Sequence, residues 1–270
     1  MDTHTTQSLV HIQAKVTGLT ELSPGYFQLL LYAPEIAATA IPGQFVQIRA
    51  AGPGSIDPLL ARPLSIYRAT PLSGEIAVIF KVVGRGTAML AAAQVGAPLT
   101  VLGPVGNGFT IPENTRQLAL LAGGVGMPPL FFLAERLRIT HPLLRSTLFY
   151  GGRTHADLLC LPEWEALGVS VMTATDDGSC GHHGLVTELF QQQCAGVLFD
   201  FLAACGPRPM LYAVQRLALA SGIPGQLSLE ARMACGVGAC LGCVCATLAG
   251  HQRVCVDGPI FALEEVKFDG

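Results

Sequence analysis

The stretch Leu118-Ala-Leu-Leu-Ala-Gly-Gly-Val-Gly-Met-Pro-Pro-Leu130 decides the fold. It opens with a short continuous apolar run, as in a strand buried on both faces. Gly123, Gly124 and Gly126 then make a turn, and a helix starts behind Met127. The uncharged run from Gln117 to Ala134 imitates a membrane helix, but its glycines and prolines break it, so no membrane span is expected.

The same alternation continues downstream. Ser146–Tyr150, Ser170–Ala174 and Phe199–Ala204 are further apolar runs, with helical segments near Glu163–Leu167, Leu185–Gln193 and Arg208–Ser221. Strands alternating with helices predict an α/β doubly wound parallel sheet. Upstream the rhythm differs. Val10–Val16, Tyr26–Tyr32, Gln44–Arg49, Leu64–Arg68, Glu75–Val83 and Leu99–Leu102 are short strands divided by Gly, Pro and Ser turns. They predict a β-barrel, with one short helix from Thr87 to Gln94. The turn-like Ile111-Pro-Glu-Asn-Thr marks the boundary. Three units follow: a barrel over 8–111, an α/β unit over 112–225, and a small cysteine-bearing segment over 226–270.

Composition narrows the class. Of 270 residues half are hydrophobic and 13% are charged, enough for a substantial core. The positive mean hydropathy fits either apolar surface buried against a partner or a Leu/Ala-rich core. A net charge of −3 leaves no basic footprint for nucleic acid. The polar start Met1–Gln7 has no signal-peptide pattern, and the nine cysteines are an odd number. Reduced thiols and a metal centre in the cytoplasm fit better than a disulfide framework.

Four of those cysteines are patterned. Cys235, Cys240 and Cys243 give C-x4-C-x2-C, and Cys255 follows after eleven residues. That is the plant-type ligand spacing of a [2Fe–2S] cluster. A zinc site is the alternative, but structural zinc usually takes two short-spaced pairs, and here the fourth thiol stands alone. A short β-hairpin is expected to bring Cys255 back. Cys245 is a possible substitute ligand, or a packed side chain. The remaining cysteines, 160, 180, 194 and 205, read as small buried hydrophobes.

The other motifs are weaker alone. Gly123-Gly-Val-Gly lies where a dinucleotide's pyrophosphate meets a helix start, though such turns also occur with no ligand. Arg62-Pro-Leu-Ser65 offers a phosphate partner, and Lys81-Val-Val-Gly-Arg-Gly-Thr87 a loop that cradles another; an exposed Arg and a plain turn are the bland readings. Asp176-Asp-Gly178 and the loop holding His182 and His183 read as turns. No G-x-S-x-G elbow argues for hydrolysis.

Together these motifs resemble the ferredoxin reductase-like flavoproteins. The resemblance implies FAD bound by Arg62, Pro63, Leu64 and Ser65, with Lys81, Val83, Gly84, Gly86 and Thr87 holding its pyrophosphate side. It implies nicotinamide binding by Gly123, Gly124 and Gly126 together with Cys205, Gly206 and Pro207. The C-terminal runs Glu230-Ala-Arg-Met-Ala-Cys-Gly-Val-Gly-Ala-Cys-Leu-Gly-Cys243 and Arg253-Val-Cys-Val-Asp-Gly-Pro-Ile-Phe261 are similar to electron-transfer subunits of class 1B dihydroorotate dehydrogenases, as are Leu102–Phe109 and Thr175–Ser179. That resemblance implies an oxidoreductase subunit of pyrimidine biosynthesis without a side chain acting as acid or base. Electrons would pass from an FMN-containing catalytic subunit, through the cluster and FAD, to NAD+ as diffusible substrate, in a heterotetramer with two of each chain. A flavin and iron–sulfur subunit of a ferredoxin:NADP transhydrogenase or a sulfur-reducing hydrogenase is the runner-up, and a zinc-stabilised interaction module the alternative outside enzymes. Arg153, after the Tyr150-Gly-Gly turn, leaves the choice between NAD and NADP open.

Overall fold

A computed structural model describes residues 9–52, 54–194 and 196–268. Ser8, residues 269–270 and the polar start Met1–Gln7 lie outside the described residues. The first half runs β1 (Val10–Ser23), β2 (Tyr26–Tyr32), α1 (Pro34–Thr39), β3 (Phe45–Arg49), β4 (Arg62–Thr70), β5 (Glu75–Lys81), α2 (Arg85–Ala91) and β6 (Pro98–Val105). Its strands close a barrel in the order β1-β2-β5-β4-β3-β6. Val16, Leu29, Val46, Ile66, Val78 and Val101 fill the interior. Two details depart from expectation. The short α1 buries Ile36 and Ala37, and is too brief for a helical period to show in sequence. Helix α2 starts before Thr87, because the Thr87 hydroxyl turns back to accept the Val83 N–H at 2.9 Å.

The second half holds β7 (Gln117–Gly123), α3 (Met127–Thr140), β8 (Arg145–Gly152), α4 (Leu161–Ala166), β9 (Ser170–Thr175), β10 (His182–His183), α5 (Val186–Cys194), β11 (Phe201–Cys205), α6 (Arg208–Ala220) and β12 (Gly225–Ser228). Then come β13 (Val244–Thr247), β14 (Gly250–Arg253) and β15 (Ile260–Ala262). A seven-stranded sheet forms in the order β10-β9-β8-β7-β11-β12-β15. All its pairs are parallel except β12 with β15. Strand order reverses between β7 and β11, so a crevice opens at their carboxyl ends.

The cysteine-bearing segment is not a free-standing unit. Strands β12 and β15 stitch it into the large sheet, and the β13–β14 hairpin pairs as a separate two-stranded sheet. His182 and His183 form an edge strand paired with Ala174 and Thr175, where a loop was expected.

The two halves share a core. Strand β5 turns Ile76, Val78 and Phe80 into the barrel, while Ala77 and Ile79 face the neighbouring unit. This explains a run with no polar face. Helix α3 is buried from Met127 to Ala134 because it lies between the sheet and the barrel. Its Phe131 stacks on Tyr67 of β4 with centroids 4.5 Å apart and meets Trp164 edge-on at 5.0 Å. Arg68 of β4 reaches Glu135 of α3 at 2.7 Å.

Candidate functional site

The turn after β7 and the turn after β11 form one side of a crevice of about 440 Å³. They pack back to back. A Cβ on Gly126 would strike the Cys205 carbonyl, so only glycine allows this approach. Gly123, Gly124 and Pro207 line the crevice, with Arg153 and Asp176 at its rim and Tyr26 and Lys81 facing them from the barrel. Gly126, Cys205 and Gly206 lie behind the surface and shape it. The backbone turns and the apolar Val186 and Met210 suit a flat ring and a dinucleotide's phosphates.

A second crevice, about 370 Å³, lies along the barrel. Arg62, Pro63, Leu64 and Ser65 line it with Lys81, Val83 and Thr87. The two motifs meet here, since Gly86 lies against the Arg62 guanidinium. The opposite wall is Ser228, Leu229, Glu230, Ala231 and Met233. Partly apolar, and lined by an arginine and the hydroxyls of Ser65 and Thr87, this cavity has the chemistry to take a flavin nucleotide. Lys81 and Val125 line both crevices and form the seam between them.

The same wall runs on into the cysteine loop. The Cys235 sulfur accepts the N–H groups of Val237 and Cys240, each at 3.4 Å. The Val237 N–H, then the Cys240 N–H, bring the Cys235 thiol down to about 6. Cys243 and Cys255 are buried with sulfurs 3.3 Å apart, and burial followed by the Cys243 thiol raises Cys255 to about 11. The Cys240 N–H ties Cys240 to the Cys235 sulfur, and Cys243 lies against Cys255. Four thiols on this loop and its hairpin are the ligand set a [2Fe–2S] cluster takes. Among the described residues no group of three or more ligand-type side chains closes on one ion position. The β13–β14 hairpin carries the chain from Cys243 back to Cys255, as expected. Cys245, on β13, packs partly against the core, and burial raises its thiol.

Gly236 is the tightest point of this loop. Its φ is +70°, and a Cβ would stand 2.5 Å from the Gln47 amide. Gln47 is buried on β3, opposite Pro63. In the orientation that satisfies both its ends, its amide accepts from the Gly236 N–H at 3.2 Å and donates to the Ala234 carbonyl at 3.3 Å.

Tyr26, Asp157, Gln47 and the wall from Ser228 to Met233 were not singled out as site residues by motif. Only the unbroken run Ser228-Leu-Glu-Ala-Arg-Met leading into Cys235 offered a signal. Tyr26 and Asp157 are 131 positions apart and carried none.

The comparisons with known proteins align with this geometry. The description "iron-sulfur cluster binding domain of dihydroorotate dehydrogenase B" matches residues 230–267, and "oxidoreductase NAD-binding domain" matches residues 120–216. The chain is 36% identical over 261 residues to the dihydroorotate dehydrogenase B (NAD(+)) electron transfer subunit of Desulforamulus reducens, covering 95% of this chain and 98% of that one. It is 42% identical to the subunit of the same name from Geobacillus thermodenitrificans, covering 89% and 92%. Among solved structures, that of an NADH-dependent reduced ferredoxin-NADP oxidoreductase superposes with a TM-score of 0.85 at 30% identity, covering 95% of this chain and 90% of that one. A ferredoxin NADP+ reductase from Neisseria gonorrhoeae with bound FAD and NADP superposes at 0.67 and 18% identity, covering 78% and 92%, which is a likeness of fold.

Proposed function

The chain belongs to the electron transfer subunits of NAD(+)-dependent dihydroorotate dehydrogenase B, and on that premise we propose how its residues divide the work. It is an oxidoreductase subunit that carries a [2Fe–2S] cluster and FAD and serves NAD. When bound, the cluster moves electrons singly and FAD pairs them into a hydride for NAD+. Cys235, Cys240, Cys243 and Cys255 hold the cluster. Arg62, Pro63, Leu64, Ser65, Lys81, Val83, Gly84, Gly86 and Thr87 hold FAD. Gly123, Gly124, Gly126, Cys205, Gly206 and Pro207 shape the NAD site. The functional units are the barrel (8–111), the α/β unit (112–225) and the cluster segment (226–270), the last sharing its edge strands with the sheet.

One observation carries this reading. The cluster loop, the flavin crevice and the nicotinamide crevice follow one another, joined by the wall from Ser228 to Met233 and by the seam at Lys81 and Val125. The name of the family implies a catalytic partner subunit. We place FMN and dihydroorotate oxidation in that partner, in a cytoplasmic heterotetramer with two of each chain. The exposed Val237, Leu241, Val244 and Val256 around the cluster loop offer it an apolar landing surface. Among the described residues no helix is long and apolar enough to cross a membrane.

The test is co-purification with the partner, followed by NAD+ reduction assayed with dihydroorotate. Orotate and NADH should appear in equal amounts. Reduction of NAD+ only by some other donor, such as reduced ferredoxin, would overturn the dihydroorotate assignment.

A further inference from the structure

The barrel is fastened to the rim of the nicotinamide crevice at one carboxylate, Asp157. This residue lies in a single helical turn after β8, beyond every motif of the sequence. Its Oδ1 accepts the Tyr26 hydroxyl and, at 3.2 Å, the Lys81 ammonium. Lys81 also donates to the Tyr26 hydroxyl at 2.7 Å and lies over the Tyr26 ring. Tyr26 and Lys81 pair across β2 and β5, so the barrel presents them as a unit. Ser23, at the end of β1, adds a bond to the Ala156 carbonyl at 2.8 Å.

The other carboxylate oxygen faces the nucleotide side. Asp157 Oδ2 accepts the N–H groups of Arg153 and Thr154 at 3.0 and 3.2 Å, fixing the turn that forms the crevice rim. The Tyr150 hydroxyl lies 3.1 Å from the carbonyls of both Asp157 and Gly124, and accepts the Leu159 N–H at 3.1 Å. The network therefore reaches from the barrel to the glycine turn that lines the crevice. Burial alone would raise the Asp157 carboxyl, but the bonds from Tyr26 and Lys81 hold it below the usual carboxylate range. The Tyr26 bond likewise raises Lys81.

We propose that Asp157 is a positioning residue for hydride transfer, latching the nucleotide-binding sheet to the end of the barrel and so setting the width of the nicotinamide crevice. This rests on the reading that NAD and FAD occupy the two crevices. Tyr26 and Lys81 wall the crevice on the barrel side, and Gly123, Gly151, Gly152 and Arg153 on the other. Asp157 spans that gap. Hydride transfer needs reacting atoms about 3–3.5 Å apart, and a misplacement of about 1 Å costs on the order of a hundredfold in rate.

Two substitutions test the latch in the fully loaded subunit. Asp157→Asn keeps the shape, but its amide cannot accept from the barrel and from both backbone N–H groups at once. Tyr26→Phe removes the bridging hydroxyl and leaves the Lys81–Asp157 pair. NADH-driven FAD reduction, followed by stopped flow, should show a limiting rate lowered about 10- to 100-fold in Asp157→Asn. Tyr26→Phe should lose less. The apparent NADH dissociation constant should move little, and the flavin and cluster spectra should stay as in the parent. Hydrogen exchange of the cofactor-free chain should quicken over residues 151–159. An unchanged limiting rate despite faster exchange would overturn the proposal, because the contact would then be structural only. A rate loss that matched lost flavin would overturn it equally. A parent subunit that NADH cannot reduce at all would overturn the NAD reading itself, and the two failures differ in which protein shows them.

Discussion

At the scale of single residues, the cluster loop depends on backbone that few side chains permit. Gly236 combines a left-handed φ of +70° with contact against the Gln47 amide, so any Cβ is excluded twice. Gly236→Ala should push the loop off the barrel and move Cys235 away from the N–H groups that favour its thiolate. The expected result is loss of the cluster's visible absorbance and iron content, with FAD retained. Cys240→Ser is the comparison. It removes a ligand without touching the flavin motifs, so it should leave NADH-driven FAD reduction within about twofold while abolishing electron transfer to the partner. Loss of both flavin and iron in either variant would show that the loop supports the whole fold instead. The cysteine spacing made this loop legible in the sequence, because metal ligation dictates spacing. Gln47 was not legible. A buried amide that serves a loop far along the chain leaves no local pattern.

At the scale of elements, the sequence was clearest where a compact apolar run is bounded by turn residues. The runs of β2, β7 and β9 stand within two residues of expectation because burial on a pleated sheet leaves little freedom. It was least clear for the segment after Gln226, read as a separate unit. Strands β12 and β15 are four and three residues long, and only pairing with β11 and with each other defines them. Both nucleotide turns depend on such pairing. The turns after β7 and β11 touch through Gly126 and the Cys205 carbonyl, behind the crevice. Gly126→Val should force them apart at the strand ends. NADH affinity should fall on the order of tenfold or more, about 1.4 kcal/mol, as read by NADH titration, while flavin and iron remain. Unaltered affinity would show that the turns have slack the packing does not suggest.

At the scale of the whole molecule, the barrel and the sheet behave as one body. Phe131 is fully buried on α3, stacked on Tyr67 of the barrel and edge-on to Trp164 of the α/β unit. Arg68 lies 5.3 Å from the Phe131 ring while it holds Glu135 on the same helix. The two crevices share Lys81 of the barrel and Val125 of the glycine turn that leads into this helix. A relay of electrons needs fixed separations, and a shared core provides them better than a linker does. Phe131→Ala removes the ring from both partners at once. The cost should be roughly 3–5 kcal/mol, the usual range for emptying an aromatic core site. Because the core is common, barrel and sheet should lose stability together. Flavin release and loss of far-ultraviolet circular dichroism should fall in one thermal transition in the parent, and in one earlier transition in the variant. Two separated transitions, with only one displaced by Phe131→Ala, would mean that the halves fold independently. The crevices would then be aligned by the Asp157 latch and not by the core.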